Sequence, residues 1–117
     1  MRPDFINISS GLAFTPGAFA PVYSATKAAM HSFSMSLRHQ VAKRNISVVE
    51  VAPPAVNTDL GGAGLHTFGV PLDEFADAVF QGLAAGDTEI GYGTSKKALR
   101  MSRDEIDETF QQMNSRI

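Results

Sequence analysis

The sequence contains no cysteine among its 117 residues. Without thiols the chain cannot form a disulfide framework, use a catalytic cysteine or hold a cysteine-ligated zinc or iron–sulfur site. It also lacks the ~20 consecutive apolar residues that cross a bilayer and the basic and apolar segments of an export signal. We therefore expect a cytoplasmic protein that neither spans a membrane nor is exported.

An excess of positive charge is missing too, since ten Lys and Arg against twelve Asp and Glu give a net charge of -2. This balance argues against nucleic-acid binding through a basic surface. The three histidines, His31, His39 and His66, form no zinc-binding pattern, so no metal is expected and they are interpreted as surface or packing residues. With 44% hydrophobic and 19% charged residues, the chain is typical of one small globular domain.

The first half of the sequence has the order strand, helix, strand. Residues 5–9 form a short β-rich run, and residues 22–43 have helical composition with an apolar stripe. That stripe comprises Ala25, Ala29, Phe33, Leu37 and Val41. Residues 46–52 form the clearest strand, which Pro53 and Pro54 end. Because a helix joins the two strands, we expect them to be parallel, in an α/β fold.

The second half begins with a glycine-rich stretch, residues 61–64, which we interpret as a mobile loop. Pro71 opens a second predicted helix, whose first turn carries Asp73 and Glu74 and which Gly86 ends. A short third strand is predicted over residues 88–92. Residues 91–96 lack the spacing of a phosphate-binding loop and are interpreted as a strand end and turn.

A last helix is predicted at the C-terminus, because Ser102 and Glu105 have the spacing of a capping box. The polar run before it, residues 96–103, is interpreted as a solvated face. The apolar face of the last helix would pack on the chain's own core or on a partner. Its members are Ile106, Phe110, Met113 and Ile117.

Three residues suggest chemistry: Ser10 at a strand end, and Tyr23 and Lys27 four residues apart at the start of the long helix. Residues four apart lie on one helix face, and an ammonium beside a phenol favours the phenolate. Tyrosine could then move a proton while the serine hydroxyl holds a carbonyl oxygen. In the alternative interpretation Tyr23 packs, Lys27 extends to water and Ser10 ends a strand.

The surrounding motifs resemble those of the classical short-chain dehydrogenases/reductases. They are Asn-Ile-Ser-Ser-Gly at residues 7–11, Tyr-Ser-Ala-Thr-Lys-Ala-Ala at residues 23–29, and Pro-Pro-Ala-Val-Asn-Thr at residues 53–58. The run at residues 35–39 is similar to uncharacterised bacterial oxidoreductases of this family. The family usually has glycine where this chain has Pro54.

This resemblance implies an NAD- or NADP-dependent oxidoreductase acting on a small carbonyl or alcohol substrate. Ser10 would orient the substrate carbonyl, Tyr23 would be the catalytic acid/base, and Lys27 would tune Tyr23 and bind the nicotinamide ribose. Tyr23 and Lys27 would thus also contact the cofactor. The further cofactor contacts that the resemblance implies are Pro53, Val56 and Thr58.

Family members are about twice as long, because their fold is built from two βαβαβ halves. This chain resembles the second half: no glycine-rich turn precedes Ser10, and the family's catalytic asparagine has no counterpart. The expected fold is therefore a partial Rossmann-like domain, half of a doubly wound parallel sheet with about three strands and flanking helices. It would span residues 1–117, with residues 102–117 as a tail helix.

Whether the isolated chain is an enzyme stays open at the level of sequence. A truncated half would be inactive until an N-terminal half is supplied, and family members usually form homo-oligomers. Alternatively, the chain is a non-catalytic fragment or an oligomerising interaction module with an open strand edge. A third possibility is that Met1 is an internal methionine of a longer protein.

Overall fold

The structure is a computed structural model that describes residues 3–57, 64 and 68–115. The strands are β1 (Phe5–Ile8), β2 (Val48–Ala52) and β3 (Glu89–Gly91). The helices are α1 (Pro21–Val41), α2 (Leu72–Ala85), α3 (Thr94–Ala98) and α4 (Arg103–Met113). In the described part the strands form one parallel sheet in the order β1-β2-β3, which confirms the predicted α/β fold.

The long helix α1 begins and ends close to the predicted positions. Pro21 occupies its first turn, where a missing N–H costs no hydrogen bond. A 3₁₀ turn, Ala42–Arg44, follows the helix, and Asn45 closes it with a left-handed φ of 58°. Asparagine tolerates this conformation better than most residues, so it supplies the break before β2.

One face of the sheet carries the apolar core. Val49, Val51 and Ile90 are buried there, and α2 packs against them through Phe75, Val79 and Leu83. A fully buried side chain of this size stabilises the fold by about 1.5–3 kcal/mol. Gly86 ends α2 with a φ of 80°, as its position predicted.

The opposite face of the sheet is joined to α1 by polar contacts. Asn7 Nδ2 donates to Ser34 Oγ at 3.1 Å. Arg38 donates from Nε to the carbonyl of Val48 at 3.0 Å and from Nη2 to the carbonyl of Thr88 at 3.1 Å. The buried residues of α1 are accordingly serines, Ser24 and Ser34.

The predicted apolar stripe of α1 therefore faces largely away from this sheet. Ala25 and Ala29 are exposed, and Phe33 is 56% exposed, whereas Leu37 and Val41 are half-buried. A helical period identifies an apolar face but does not say which face meets the sheet. Here the hydrogen bonds to strands decide the orientation.

Strand β1 is the least covered part of the sheet in the described residues. Ile8 pairs in register with Val51, so it lies on the α2 side, yet it is 47% exposed. Ile6, on the same side, is 46% exposed and Phe5 is 50% exposed. The sheet thus presents an open edge with apolar side chains beside it.

The segment after β3 differs from the prediction of a turn and a solvated run. Gly93 adopts a φ of 58° and leads into α3. Ala98 of this helix is 3% exposed, so the run at residues 96–103 is solvated only in part. Ser95, which immediately precedes the run, is 1% exposed. Burial against the turn after β1 explains why five residues hold a helix here that composition did not predict.

The last helix, α4, is confirmed with its capping box and contacts the rest of the chain at its C-terminal end. Asn114 Oδ1 accepts from Ala18 N–H at 2.7 Å, and Asn114 Nδ2 donates to Pro16 O at 3.0 Å. Ile106 and Phe110 are half-buried, whereas Met113 is 44% exposed. The described part of α4 therefore packs on its own chain; Ile117 lies outside the described residues.

The capping box makes α4 sensitive to acid. Ser102 N–H donates to Glu105 Oε1 at 2.9 Å, and this backbone bond, with the Ser102 hydroxyl, lowers the pKa of Glu105. When the pKa of a carboxyl group is lower in the folded state than in the unfolded state, the group stabilises the fold at pH values above its unfolded-state pKa. This stabilisation is lost as the pH falls through the folded-state pKa. We expect protection of the Ile106 amide from hydrogen exchange to decrease on acidification. In Glu105→Gln this protection should not change with pH in the same range. Equal acid dependence in both proteins would contradict this prediction.

No helix in the described part of the chain is both long and apolar enough to cross a membrane.

Candidate active site

Ser10 lies two residues after the end of β1, at the start of the turn that follows the strand. Its Oγ accepts a hydrogen bond from Leu12 N–H at 3.1 Å and so caps the 3₁₀ turn Gly11–Ala13. Gly11 N–H donates to Pro53 O at 3.0 Å. This hydrogen bond joins the segments that follow β1 and β2, next to Ser10. Ligands of open α/β sheets bind at this carboxyl edge of the parallel strands.

Tyr23 and Lys27 lie one turn apart at the start of α1. Lys27 Nζ is 5.5 Å from the centre of the Tyr23 ring, and it donates to Ile8 O at 3.3 Å. The lysine therefore connects the tyrosine to the last residue of β1, two positions before Ser10. Tyr23 is 50% exposed to solvent.

The segment after β2 carries the other predicted cofactor contacts. Val56 forms a parallel bridge with Val70, supported by a 2.9 Å bond from Asn57 N–H to Val70 O. A side chain on Gly69 would collide with the Ala55 backbone, so glycine permits this close approach. Thr58, His66 and residues 61–63 of the predicted mobile loop lie outside the described residues.

The short chain dehydrogenase family profile matches residues 3–66. The chain belongs to the short-chain dehydrogenase family. This oxidoreductase family is the one that the three sequence motifs indicated, and the prediction is confirmed.

Two curated proteins are similar in sequence to this short-chain dehydrogenase chain. An uncharacterised oxidoreductase of Bacillus subtilis (strain 168), DltE, is 40% identical over 115 residues, covering 94% of this chain and 46% of that protein. Carbonyl reductase family member 4 of Danio rerio is 44% identical over 77 residues, covering 62% of this chain and 32% of that protein.

A solved short-chain dehydrogenase from Sphingobium yanoikuyae, in complex with NADPH, superposes with a TM-score of 0.67 at 24% identity. The match covers 96% of this chain and 44% of that one. It confirms the Rossmann-like fold. The chain spans less than half the length of each of these three proteins.

Sequence reasoning missed a buried network beside these short-chain dehydrogenase motifs. Glu50, in the middle of β2, is fully buried; Ser9 Oγ donates to its Oε2 at 2.5 Å. His31 Nδ1 lies 2.7 Å from Glu50 Oε1, and the Phe14 ring packs on the imidazole edge to face at 4.6 Å. A glutamate inside a run of Val and Ala was the available signal, because such residues are almost never buried without partners.

The sequence interpretation of His31 as a surface or packing residue is therefore incomplete, because its imidazole also contacts the buried Glu50 carboxyl group. Together with Glu50 and Glu89 it forms a group, within the described residues, whose ligand atoms lie within 4.8 Å of one another. Each member already has a protein partner, since Arg100 pairs with Glu89 at 3.0 Å. His39 is exposed.

The second tyrosine of this short-chain dehydrogenase chain has a different environment from Tyr23. Tyr92 OH donates to Glu74 Oε2 at 3.1 Å. This hydrogen bond, and then the negative charge of Glu74, raises the pKa of Tyr92. Tyr92 thus holds its proton more tightly than an isolated phenol, which makes it a useful control for substitutions at Tyr23.

Proposed function

We propose that this chain is the catalytic half of an NAD(P)-dependent short-chain dehydrogenase that interconverts a small carbonyl compound and its alcohol. The observation that carries the proposal is the position of Lys27, which contacts both the Tyr23 ring and the end of the strand that leads to Ser10. This arrangement places the Lys27 ammonium between the Tyr23 ring and the carbonyl of Ile8, two residues before Ser10. Family membership supports the assignment of oxidoreductase chemistry.

The hydrogen-bonding capacity of these side chains suits the proposed roles. Leu12 N–H occupies one acceptor site of the Ser10 hydroxyl, so the Ser10 O–H remains a donor for a substrate carbonyl oxygen. Lys27 has three N–H donors, of which the bond to Ile8 O uses one. The others suit the hydroxyl groups of a ribose.

In the proposed reaction Tyr23 donates its hydroxyl proton to the carbonyl oxygen during reduction and accepts it back during oxidation. Ser10 holds the same oxygen by a hydrogen bond, which stabilises the developing negative charge. Lys27 holds its ammonium 5.5 Å from the centre of the Tyr23 ring, beside the side chain that carries the proton. A bound nicotinamide supplies or accepts the hydride at its C4 atom.

The residues present fit the nicotinamide end of a dinucleotide. The donor set of Lys27 and Tyr23 lies at the carboxyl edge of the sheet, whereas the sequence has no G-x-G-x-x-G turn to hold a pyrophosphate. We therefore propose that the chain works with a complementary half that supplies the adenosine site. The bare apolar surface of β1 supports a further strand at that edge.

A self-associating, non-catalytic module is the second candidate function. The exposed Phe33 on α1 and the uncovered Ile6 and Ile8 favour it, because a second copy would remove these side chains from water. Elution volume measured over a range of concentrations tests whether the chain self-associates. A folded chain that stays monomeric throughout would contradict the module.

Thermal unfolding with nucleotides tests the proposed function. A ligand that binds only the folded state raises the midpoint. We expect nicotinamide mononucleotide, NADH or NADPH to raise it by a few degrees and AMP to leave it unchanged, because the chain carries the nicotinamide end of the site. Lys27→Met should remove the shift, and Lys96→Met, a change of an exposed lysine on α3, should retain it. No shift with any nicotinamide compound would contradict a cofactor site in this chain.

A further inference from the structure

The buried carboxylate of Glu50 is not explained by stability alone. The neighbouring strand positions are valines, and burying a charge costs several kcal/mol before its partners compensate. Replacing a buried charged group together with its partners by apolar residues of similar volume is often neutral or stabilising. The location of its partners suggests what the carboxylate does.

Each partner of Glu50 belongs to an element that carries a proposed catalytic residue. Ser9 immediately precedes Ser10 at the end of β1. His31 lies one turn beyond Lys27 on α1, on the same helix face. Phe14, just after the turn that Ser10 caps, rests against the His31 ring. Glu50 thus joins β2 both to the end of β1, next to Ser10, and to α1, one turn beyond Lys27.

The charges nearby are already balanced by protein groups. Arg100 pairs with Glu89, the residue beside Glu50 in register on β3. The Arg38 guanidinium lies at the same junction, bound to the carbonyls of Val48 and Thr88. A cation bound by His31, Glu50 and Glu89 would have to displace the His31–Glu50 contact. This arrangement favours a protein-only network over a metal centre.

We propose that Glu50 is a positioning residue: through Ser9 and His31, its carboxylate fixes the position of Ser10 relative to Lys27. The Ser9 hydroxyl donates to one oxygen of the Glu50 side chain, and His31 Nδ1 lies 2.7 Å from the other oxygen, so a single carboxyl group holds both side chains. The inference rests on the proposed function for the meaning of Ser10 and Lys27. The coupling between Glu50 and the Ser10 turn is measurable without it.

Amide hydrogen exchange on the 117-residue chain tests this coupling directly. In Glu50→Ala the Leu12 amide, which donates to Ser10 Oγ, and the Gly11 amide should exchange about tenfold faster than in the unsubstituted chain. The Phe5 amide, bonded to Ser47 O at the far end of β1, serves as the internal reference. If Glu50 contributes only to overall stability, the amides of Phe5 and Leu12 should exchange faster by the same factor in Glu50→Ala. That result would overturn the proposal.

Conservative and matched variants separate positioning from folding. Glu50→Gln keeps an accepting oxygen and adds a donor that the other His31 tautomer accepts, so it should restore most of the protection at Leu12. Glu89→Gln changes the neighbouring carboxylate and should leave Leu12 unaffected. If Glu50→Ala does not fold, Ser9→Ala takes its place as the test. This variant removes one hydrogen bond of the network and should by itself speed hydrogen exchange at the Leu12 amide. Unchanged exchange in Ser9→Ala would contradict the proposal.

Two further measurements separate a failure of the positioning role of Glu50 from a failure of the proposed function. The midpoint shift with nicotinamide mononucleotide should be lost in Glu50→Ala and kept in Glu50→Gln. If the unsubstituted chain shows no nucleotide shift, the proposed function fails, and the exchange data still decide whether Glu50 positions the Ser10 turn. A rise in midpoint with Zn²⁺ or Mn²⁺ that Glu89→Gln abolishes would overturn the protein-only network.

Discussion

Replacing Tyr23 with phenylalanine is expected to lower turnover by about 10²–10⁴-fold, the usual contribution of a positioned acid/base group. The phenyl ring keeps the shape of the side chain and its contact with Lys27, and only the proton-carrying hydroxyl is lost. The assay uses residues 3–117 fused to the preceding half of the Bacillus subtilis relative. Oxidation of NADPH or NADH is followed with para-nitrobenzaldehyde as the carbonyl probe.

The matched control for this prediction is Tyr92→Phe. It makes the same chemical change at the chain's other tyrosine, whose hydroxyl is engaged by Glu74. Turnover should stay at the level of the unsubstituted fusion, and both variants should unfold at its midpoint. Turnover retained in Tyr23→Phe would remove Tyr23 from the mechanism. A folded fusion that binds NADPH without turning over would count against the catalytic roles of Ser10 and Lys27 as well.

The parts of this structure that depend on local sequence were predictable. A β-branched run ended by two prolines gave β2, and the spacing of Ser102 and Glu105 gave the start of α4. Tyr23 and Lys27 are brought together by a helical spacing of four, which the sequence contains directly. Such features need no knowledge of what packs against them.

The parts that depend on distant contacts were not predictable in this way. The Glu50 network joins residues 41 and 19 positions apart, so no window of sequence contains it. Helix α3 has only five residues and depends on burial of Ser95 and Ala98 rather than on helix propensity. The period of the α1 stripe identified its apolar side, but hydrogen bonds to the strands turned the polar side toward the sheet.

A second large effect is expected in the core. Ile90 of β3 is 4% exposed on the side of the sheet that α2 covers, so Ile90→Ala should lower the free energy of unfolding by about 2–5 kcal/mol through lost burial and a residual cavity. Ile8→Ala makes the same change on the same side of the sheet, where the side chain is 47% exposed. Its cost should be about 1 kcal/mol, since roughly half of the burial is involved. Urea denaturation of the two variants at low protein concentration measures the difference.

The comparison between the two isoleucines also tests how the sheet is completed. If a complementary half adds a strand beside β1 and covers its apolar side, the cost of Ile8→Ala should rise toward that of Ile90→Ala in the fused protein and stay low in the isolated chain. If self-association covers β1 instead, the cost in the isolated chain should grow with protein concentration. An equal cost in the dilute chain and the fusion would mean that β1 stays an uncovered edge, which would contradict the proposal that this chain is one half of a larger sheet.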